Sequence, residues 1–244
     1  MTPPDLSVVV PVYNGAATLE KLYRELCAAL QHFSFELIFV DDASTDQSLA
    51  LLREMAKGDS RVTVLALRQN HGQQEATLCG MLVAKGRYLA NLDDDGQHPP
   101  EYLLPMLQLL QEKNLDIVYG LPVSQGRRLV RQGGSVLRDL LFYLFFPYSR
   151  GVKVSSFRVM RAELVQRIVP ERPEFFYFSA SVFRHPVRAA NLPYPHQRRS
   201  GGKSGYRLSR LAALYLNIVR YYVLGRGKIR REAPAPAGEL IHYG

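Results

Sequence analysis

The chain has 244 residues, a net charge of +9 and an apolar fraction of 47%, an ordinary globular composition that excludes a disordered, collagen-like or disulfide-stapled protein. Its two cysteines, Cys27 and Cys79, predict neither a disulfide framework nor a structural zinc site, so a reducing compartment is expected. We expect no signal peptide and no membrane span, because the longest uncharged run, Leu6 to Leu19, is short and interrupted by polar residues.

The first half of the chain alternates short apolar runs with helical patterns. Buried parallel strands are predicted at 6–12, 35–41, 62–67, 87–93 and 115–120. Helices are predicted between them at 17–32, 46–57, 73–85 and 99–113. This alternation predicts an α/β fold with a doubly wound, Rossmann-like and mostly parallel sheet flanked by helices. Such sheets bind ligands beyond the carboxyl ends of their strands.

Charge divides the chain near Gly120. Residues 1–120 hold 9 Lys+Arg and 16 Asp+Glu, a net charge of −7, whereas residues 121–244 hold 22 and 6, a net charge of +16. A basic half is suited to nucleic acid, an anionic membrane or a phosphorylated substrate. The residue pattern of this half predicts Arg-rich amphipathic helices and short strands up to residue 224. A basic, Pro-containing and mobile tail is predicted at 225–244.

The sharpest chemical motif is LDDDGQHPPE, residues 92–101, directly after the fourth predicted strand. In an extended segment, Asp93, Asp95 and Gln97 lie on one side, and hard cations such as Mg²⁺ or Mn²⁺ prefer such oxygen ligands. The alternative is an acidic turn that caps the next helix. Three adjacent carboxylates repel one another more than capping requires, so the motif predicts a divalent cation site that a diphosphate completes.

Two other strand ends carry polar and aromatic groups. The first strand ends in Pro-Val-Tyr-Asn at 11–14, and the second ends in Val-Asp-Asp-Ala-Ser at 40–44. A simple helix start accounts for Ser44, but it does not require two aspartates. Because parallel strands end at one edge of a sheet, these groups together predict a nucleotide site.

The strings VVVPVYN, FVDDASTD, NHGQQEA and LDDDGQHPPE resemble family 2 of the inverting glycosyltransferases. Within it, they are most similar to the dolichyl- or polyprenyl-phosphate sugar synthases, such as dolichol-phosphate mannose synthase. The resemblance covers residues 6–224 and implies a glycosyltransferase A fold with a basic acceptor-side lobe. Residues 1–120 would be the nucleotide-sugar and metal-binding half, and 121–224 the acceptor-binding half.

On the donor side, the resemblance implies two overlapping sets of residues. The set for the nucleotide sugar is Pro11, Tyr13, Val40, Asp42, Asp93 and Asp94. The set for the Mg²⁺ or Mn²⁺ ion is Asp93, Asp95 and Gln97, of which Asp93 and Asp95 are the catalytic residues. Gly15 departs from the family, in which an acidic residue commonly follows Tyr-Asn.

On the acceptor side, the resemblance implies a phosphate-binding set of Arg131, Ser135, Arg199 and Lys203. The first two match an Arg-x-x-x-Ser element, and RSGGKSGY at 199–206 matches Arg-x-x-Gly-x-Ser-Lys-Tyr. Gly205 replaces the lysine of that motif, whose charge Lys203, Arg127 or Arg128 can supply. The segment SSFR at 155–158 lacks the Asp and Gly that usually accompany Phe-Arg in the family.

The sequence therefore predicts a metal-dependent enzyme that transfers a sugar, with inversion, from a nucleoside diphosphate to an undecaprenyl or dolichyl phosphate for a cell-envelope glycan. It is expected to be cytoplasmic and peripheral, either docking on the anionic inner face of the membrane or working with a separate membrane protein. The aromatic run at 140–148 is either core or an interfacial helix.

Two alternatives stay open: the same donor chemistry with a soluble or glycan acceptor, and a non-catalytic scaffold that binds nucleotide sugars. Nucleic acid is not an expected partner, because the basic residues form no known binding module. His71 and His98 are isolated loop histidines, for which a hydrogen-bonding role is expected before a catalytic one.

Overall fold

The structure is a computed structural model that describes residues 3–123, 133–170, 173–195, 208–225 and 238–241. Within helix and strand, the side chains of 133–138 and 208–211 are not described. No helix within these ranges combines the length and the apolar character needed to cross a membrane.

The first half follows the predicted alternation of strands and helices. Its strands are β1 (Leu6–Val12), β2 (Phe35–Asp41), β3 (Val62–Leu67), β4 (Tyr88–Asn91) and β5 (Ile117–Val123). Its helices are α1 (Ala16–Ala29), α2 (Ser48–Gly58), α3 (Gln73–Val83) and α4 (Leu103–Glu112). A 3₁₀ turn at Pro100–Tyr102 precedes α4, so the segment predicted at 99–113 restarts once, and Pro105 lies in the first turn of α4. The five predicted strands are confirmed, with shifted ends in β4 and β5.

The second half adds four helices and three short strands to the described residues. The helices are α5 (Gly133–Phe145), α6 (Ala162–Ile168), α7 (Phe178–Phe183) and α8 (Leu208–Ile218). The strands are β6 (Arg158–Arg161), β7 (Ala189–Pro195) and β8 (Gly238–Ile241). A π-helical turn at Val219–Val223 continues α8.

One sheet joins these strands in the order β7-β5-β6-β4-β1-β2-β3-β8. β6 runs antiparallel between β4 and β5, and β8 runs antiparallel along β3. The remaining strands are parallel to one another. The expectation of a mostly parallel sheet is confirmed. Residues 238–241 of the basic tail form its outermost strand next to β3, with Ile241 buried.

Helices cover both faces of the sheet, which explains why its central strands are apolar at most positions. In β1, Val8 and Val10 face the layer of α1, α2 and α4, while Val9 faces the layer of α3 and α5–α8. The buried stripe of α1 is Leu19, Leu22 and Leu26, at helical spacing. The two apolar layers hold the carboxyl edge of the sheet, where the motif loops begin.

The directions of β5 and β7 bear on the acceptor half. They pair in parallel with Val123 opposite Pro195, so both end at the same edge as β1, β2 and β4. Residues 124–132 follow β5 and residues 196–207 follow β7, and both segments lie outside the described residues. Arg131, Arg199 and Lys203 fall in these segments, and Ser135 lies in α5 with its side chain undescribed.

Candidate functional site

The loops that follow β1 and β2 are joined by hydrogen bonds. Asn14 accepts the Thr45 backbone amide at 2.8 Å through Oδ1, and its own amide donates to Ser44 Oγ at 3.0 Å. Asn14 and Ala43 both have left-handed backbone, with φ of 55° and 57°. These contacts hold Tyr13 at the sheet edge with 51% of its surface exposed, where an aromatic face can meet a ligand.

The donor-side residues on β1 and β2 are mostly buried. Pro11 is buried, and Val40 packs beneath α3, where a Cβ on Gly80 would come within 2.8 Å of Val40 Cγ2. Asp42 holds the loop before α3, because its two carboxylate oxygens accept the backbone amides of His71 and Gly72 at 2.7 and 2.8 Å. The nucleoside contacts expected of these residues therefore stay predictions, and the structure adds a loop-holding role for Asp42.

Asp93 is held from three directions. Its Oδ1 accepts a short hydrogen bond from Gln73 Nε2, and its Oδ2 accepts one from Ser156 Oγ at 2.8 Å. Its backbone amide donates to His98 Nδ1 at 3.0 Å. Gln73 opens α3 and Ser156 belongs to the second half, so this carboxylate lies where the two halves meet. The sequence did not indicate Gln73 and Ser156 as partners, since only the order of the strands brings them to Asp93.

Asp95 and Gln97 lie in the same turn as Asp93. The Gln97 amide donates to Asp95 Oδ1 at 3.1 Å, around Gly96, whose φ is 74°. The predicted metal ligands are thus close in sequence, on one turn after β4. Among the described residues, no three His, Cys, Asp or Glu side chains are arranged to hold a metal ion, so this turn is not a complete protein cage.

The ionised form of Asp94 is disfavoured by burial and by two neighbouring carboxylates. Burial, followed by the charges of Asp93 and Asp95, raises the pKa of Asp94 to about 6. Its buried Oδ2 has no hydrogen-bond partner in the described part of the chain. A Cβ on Gly15 would lie 2.3 Å from that oxygen. A cation beside this turn would offset the mutual repulsion, so the residues present fit a divalent metal.

Aromatic rings support the acidic turn from the second half. The His98 ring stacks on Phe157 at 5.1 Å, and Phe157 meets Tyr194 edge-on at 5.4 Å. Burial raises the pKa of Tyr194, and the Asp93 and Asp95 carboxylates raise it further. Tyr194, on β7, is therefore linked to the acidic turn through the rings of Phe157 and His98.

A buried arginine lies below the turn, on β6. Arg158 is 2% exposed, donates to Asn91 Oδ1 at 2.7 Å and stacks 3.7 Å above the Phe178 ring. Burial lowers the pKa of Arg158 to about 10. Asn91 also donates to the Val9 carbonyl at 3.1 Å. These bonds tie together β6, β4 and β1 next to their site loops.

The run at 140–148 divides into a buried and an exposed set. Leu141, Phe142 and Phe146 are buried against α7 and its neighbours. The exposed set comprises Leu140, Tyr143, Leu144, Phe145 and Tyr148, each at least 45% exposed. Arg150 lies over the Tyr143 ring at 5.7 Å. The core alternative therefore holds for the buried set, and the interfacial alternative stays a prediction for the exposed set.

The fold and its acidic edge define a protein of the glycosyltransferase A class. A mannosyltransferase from Pyrobaculum calidifontis, solved with GDP-Man and Mn²⁺, has a TM-score of 0.64 at 20% identity, covering 97% of this chain and 67% of its own. Glucosyl-3-phosphoglycerate synthase from Mycobacterium tuberculosis, solved with Mn²⁺, UDP and phosphoglyceric acid, has a TM-score of 0.66 at 19% identity. That alignment covers 98% of this chain and 87% of the synthase.

The sequence narrows the class further. The pattern of glycosyl transferase family 2 matches residues 7–169, and the chain belongs to that family. Undecaprenyl-phosphate 4-deoxy-4-formamido-L-arabinose transferases from Salmonella paratyphi A and Salmonella dublin are 29% identical over 219 residues. The match covers 88% of this chain but 66% of each of those transferases.

Proposed function

We propose that this chain transfers a sugar, with inversion, from a nucleoside diphosphate sugar to a polyprenyl phosphate at a membrane surface. The observation that carries the proposal is the acidic turn at 93–97, at the carboxyl edge of the sheet beside the exposed Tyr13. The activity named for the Salmonella relatives supports a polyprenyl phosphate as the acceptor.

In this proposal the donor binds along the carboxyl ends of β1, β2 and β4. Tyr13 meets the base or ribose, with Pro11, Val40 and Asp42 shaping the crevice, and Asp93 and Asp94 lie nearest the ribose and diphosphate. Asp93, Asp95 and Gln97 would hold Mg²⁺ or Mn²⁺, which supplies positive charge to the departing diphosphate. Gln73 and Ser156 keep the Asp93 carboxylate in one orientation.

The acceptor phosphate needs orientation more than activation. One of its oxygens forms a bond to the anomeric carbon while the bond from that carbon to the diphosphate breaks, and the nucleoside diphosphate leaves with the electron pair. The second pKa of a phosphate monoester is about 6, so no proton has to be removed first. Arg131, Ser135, Arg199 and Lys203 are proposed to align this phosphate, because guanidinium groups bind phosphate strongly.

The exposed apolar side of α5 is proposed to meet the membrane. Aromatic and leucine side chains next to basic residues suit the boundary between headgroups and acyl chains. The buried side of the same helix connects it to the donor site: Phe142 packs against Tyr177, and the neighbouring Phe178 amide donates to Gln74 at 3.1 Å. Neither Cys27 nor Cys79 is in a disulfide, which supports a reducing compartment and hence the cytoplasmic face.

The test of the chemistry is Asp95→Asn, which removes one charged ligand with little change in shape. We expect it to fold like the parent and to lose at least about 100-fold in turnover, as for the loss of a transition-state contact. Glu112→Gln removes the same charge at the exposed end of α4 and should keep parental activity. Transfer of labelled sugar into an organic-soluble lipid is measured, and parental turnover in Asp95→Asn would refute the assignment.

Membrane docking through the exposed side of α5 is tested by flotation with vesicles of anionic or neutral lipid. Binding should be stronger to anionic vesicles and weaken with salt, and the double variant Tyr143→Ser, Leu144→Ser should reduce it. Leu240→Ser, which changes an exposed leucine on β8, is the matched control. Equal binding of both variants, or no preference for anionic lipid, would contradict docking through α5.

A further inference from the structure

We infer that His98 is a positioning residue, whose ring accepts the Asp93 amide through Nδ1 and so sets the acidic turn for its metal and nucleotide. This inference rests on the proposed function of that turn, but it concerns a side chain for which the proposal requires no role. Its basis is a hydrogen bond, a ring stack and the burial of His98.

The hydrogen bond determines which nitrogen of His98 carries the proton. The Asp93 backbone N–H is a donor only, and it lies 3.0 Å from Nδ1. Nδ1 must therefore be the unprotonated acceptor, and the proton belongs on Nε2. The Asp93 carboxylate is farther away, with Oδ2 at 3.9 Å from Nδ1, too far for a hydrogen bond to compete with the amide.

The ring itself cannot turn freely. His98 is 9% exposed, and its plane lies 8° from that of Phe157 at a centroid distance of 5.1 Å. Phe157 is fixed in turn, because a Cβ on Gly120 would lie 2.4 Å from Phe157 Cδ1, so the ring uses the space that glycine leaves. The second half of the chain thus supports the ring that holds the acidic turn.

The positioning role of His98 follows from the residue that its hydrogen bond fixes, which is Asp93. Ser156 and Gln73 orient the Asp93 carboxylate, while His98 orients its backbone, so three elements set one residue. Partners that orient a metal ligand typically affect metal affinity or activity about 10–100-fold when they are lost. His98 acts through Asp93, without itself contacting the reacting atoms.

Two substitutions of His98 test its hydrogen-bond acceptor and its ring stacking separately. His98→Asn places an amide oxygen where Nδ1 lies and keeps the acceptor, whereas His98→Phe keeps the stack on Phe157 and removes the acceptor. We expect His98→Phe to weaken Mn²⁺ binding about 10–100-fold and His98→Asn to stay within about threefold of the parent. His32→Asn, at an exposed position after α1, is the control.

Mn²⁺ alone is titrated by electron paramagnetic resonance, and the His98 ring nitrogens are read by long-range ¹H–¹⁵N correlation. The expected spectrum shows an unprotonated Nδ1 and a protonated Nε2. A protonated Nδ1, or an equal loss of Mn²⁺ affinity in His98→Asn and His98→Phe, would overturn the inference. If the parent binds no Mn²⁺, the metal assignment of the proposed function fails, and the ring spectrum alone decides the role of His98.

Discussion

Gly15 and Asp94 provide a test of the site that requires no substrate. A methyl group added at Gly15 would lie 2.3 Å from Asp94 Oδ2 and 3.1 Å from its Cγ. The backbone at Gly15, with φ of −102°, allows alanine, so the cost of Gly15→Ala is steric. Overpacking costs about 1–3 kcal/mol, and the entropic gain from replacing glycine returns about 0.4–1 kcal/mol.

We therefore expect Gly15→Ala to lower the free energy of unfolding by about 1–2 kcal/mol. The matched control is Gly58→Ala in α2, where an added Cβ meets nothing within 4 Å. That variant should be stabilised by about 0.4–1 kcal/mol. Both free energies are measured by urea unfolding in the presence of a chelator.

A double-mutant cycle isolates the contact between the two residues. In an Asp94→Ala background the methyl group has room, so Gly15→Ala should become stabilising by the entropic gain alone, with a coupling energy of about 1–3 kcal/mol, the steric cost itself. The reasoning fails if Gly15→Ala behaves like Gly58→Ala in the parent, or if its cost is unchanged when Asp94 is alanine.

Two further predictions concern buried and paired charges. Asn91→Ala removes the hydrogen-bond acceptor of buried Arg158 and should cost about 1.5–3 kcal/mol in urea unfolding; adding Arg158→Met should recover part of that loss, and no recovery would contradict the pairing. Hydrogen bonds from Arg61 lower the pKa of Asp59 to about 2, so this carboxylate stabilises the fold above its ordinary pKa and loses that effect as the pH falls towards 2. Asp59→Asn should be less stable by about 1 kcal/mol at pH 7, given the exposure of Arg61, and equal to the parent near pH 2; a gap that does not change with pH would contradict this.

The central strands could be predicted from sequence because both their faces are buried. β1, β2 and β3 begin and end where the predicted runs do, since parallel strands covered on both sides are apolar at most positions. β6 could not be located in this way, because two of its four residues are arginines. Asn91 accepts a hydrogen bond from Arg158, and Leu115 and Asn114 accept hydrogen bonds from Arg161. The sequence alone does not indicate these partners, because folding brings them together.

The candidate site, too, has a part that the sequence indicated and a part that only the folded chain brings together. The acidic turn and the ends of β1 and β2 were identifiable because their residue types are rare together in one chain segment. Ser156 and the stack of His98 on Phe157 were not, because β6 brings residues from the second half next to β4. Asp42 was identified from its motif, but the motif did not indicate that its carboxylate accepts the backbone amides of residues 71 and 72.

The pairing of β8 with β3 has a consequence for how the protein is made. Val64–Leu67 gain their outer partner only when residues 238–241 arrive, after every other strand of the sheet has been synthesised. Until then the outer edge of β3 offers unpaired amides and carbonyls to other nascent chains, the feature that promotes edge-to-edge aggregation. Truncation before Gly238 should therefore lower soluble yield.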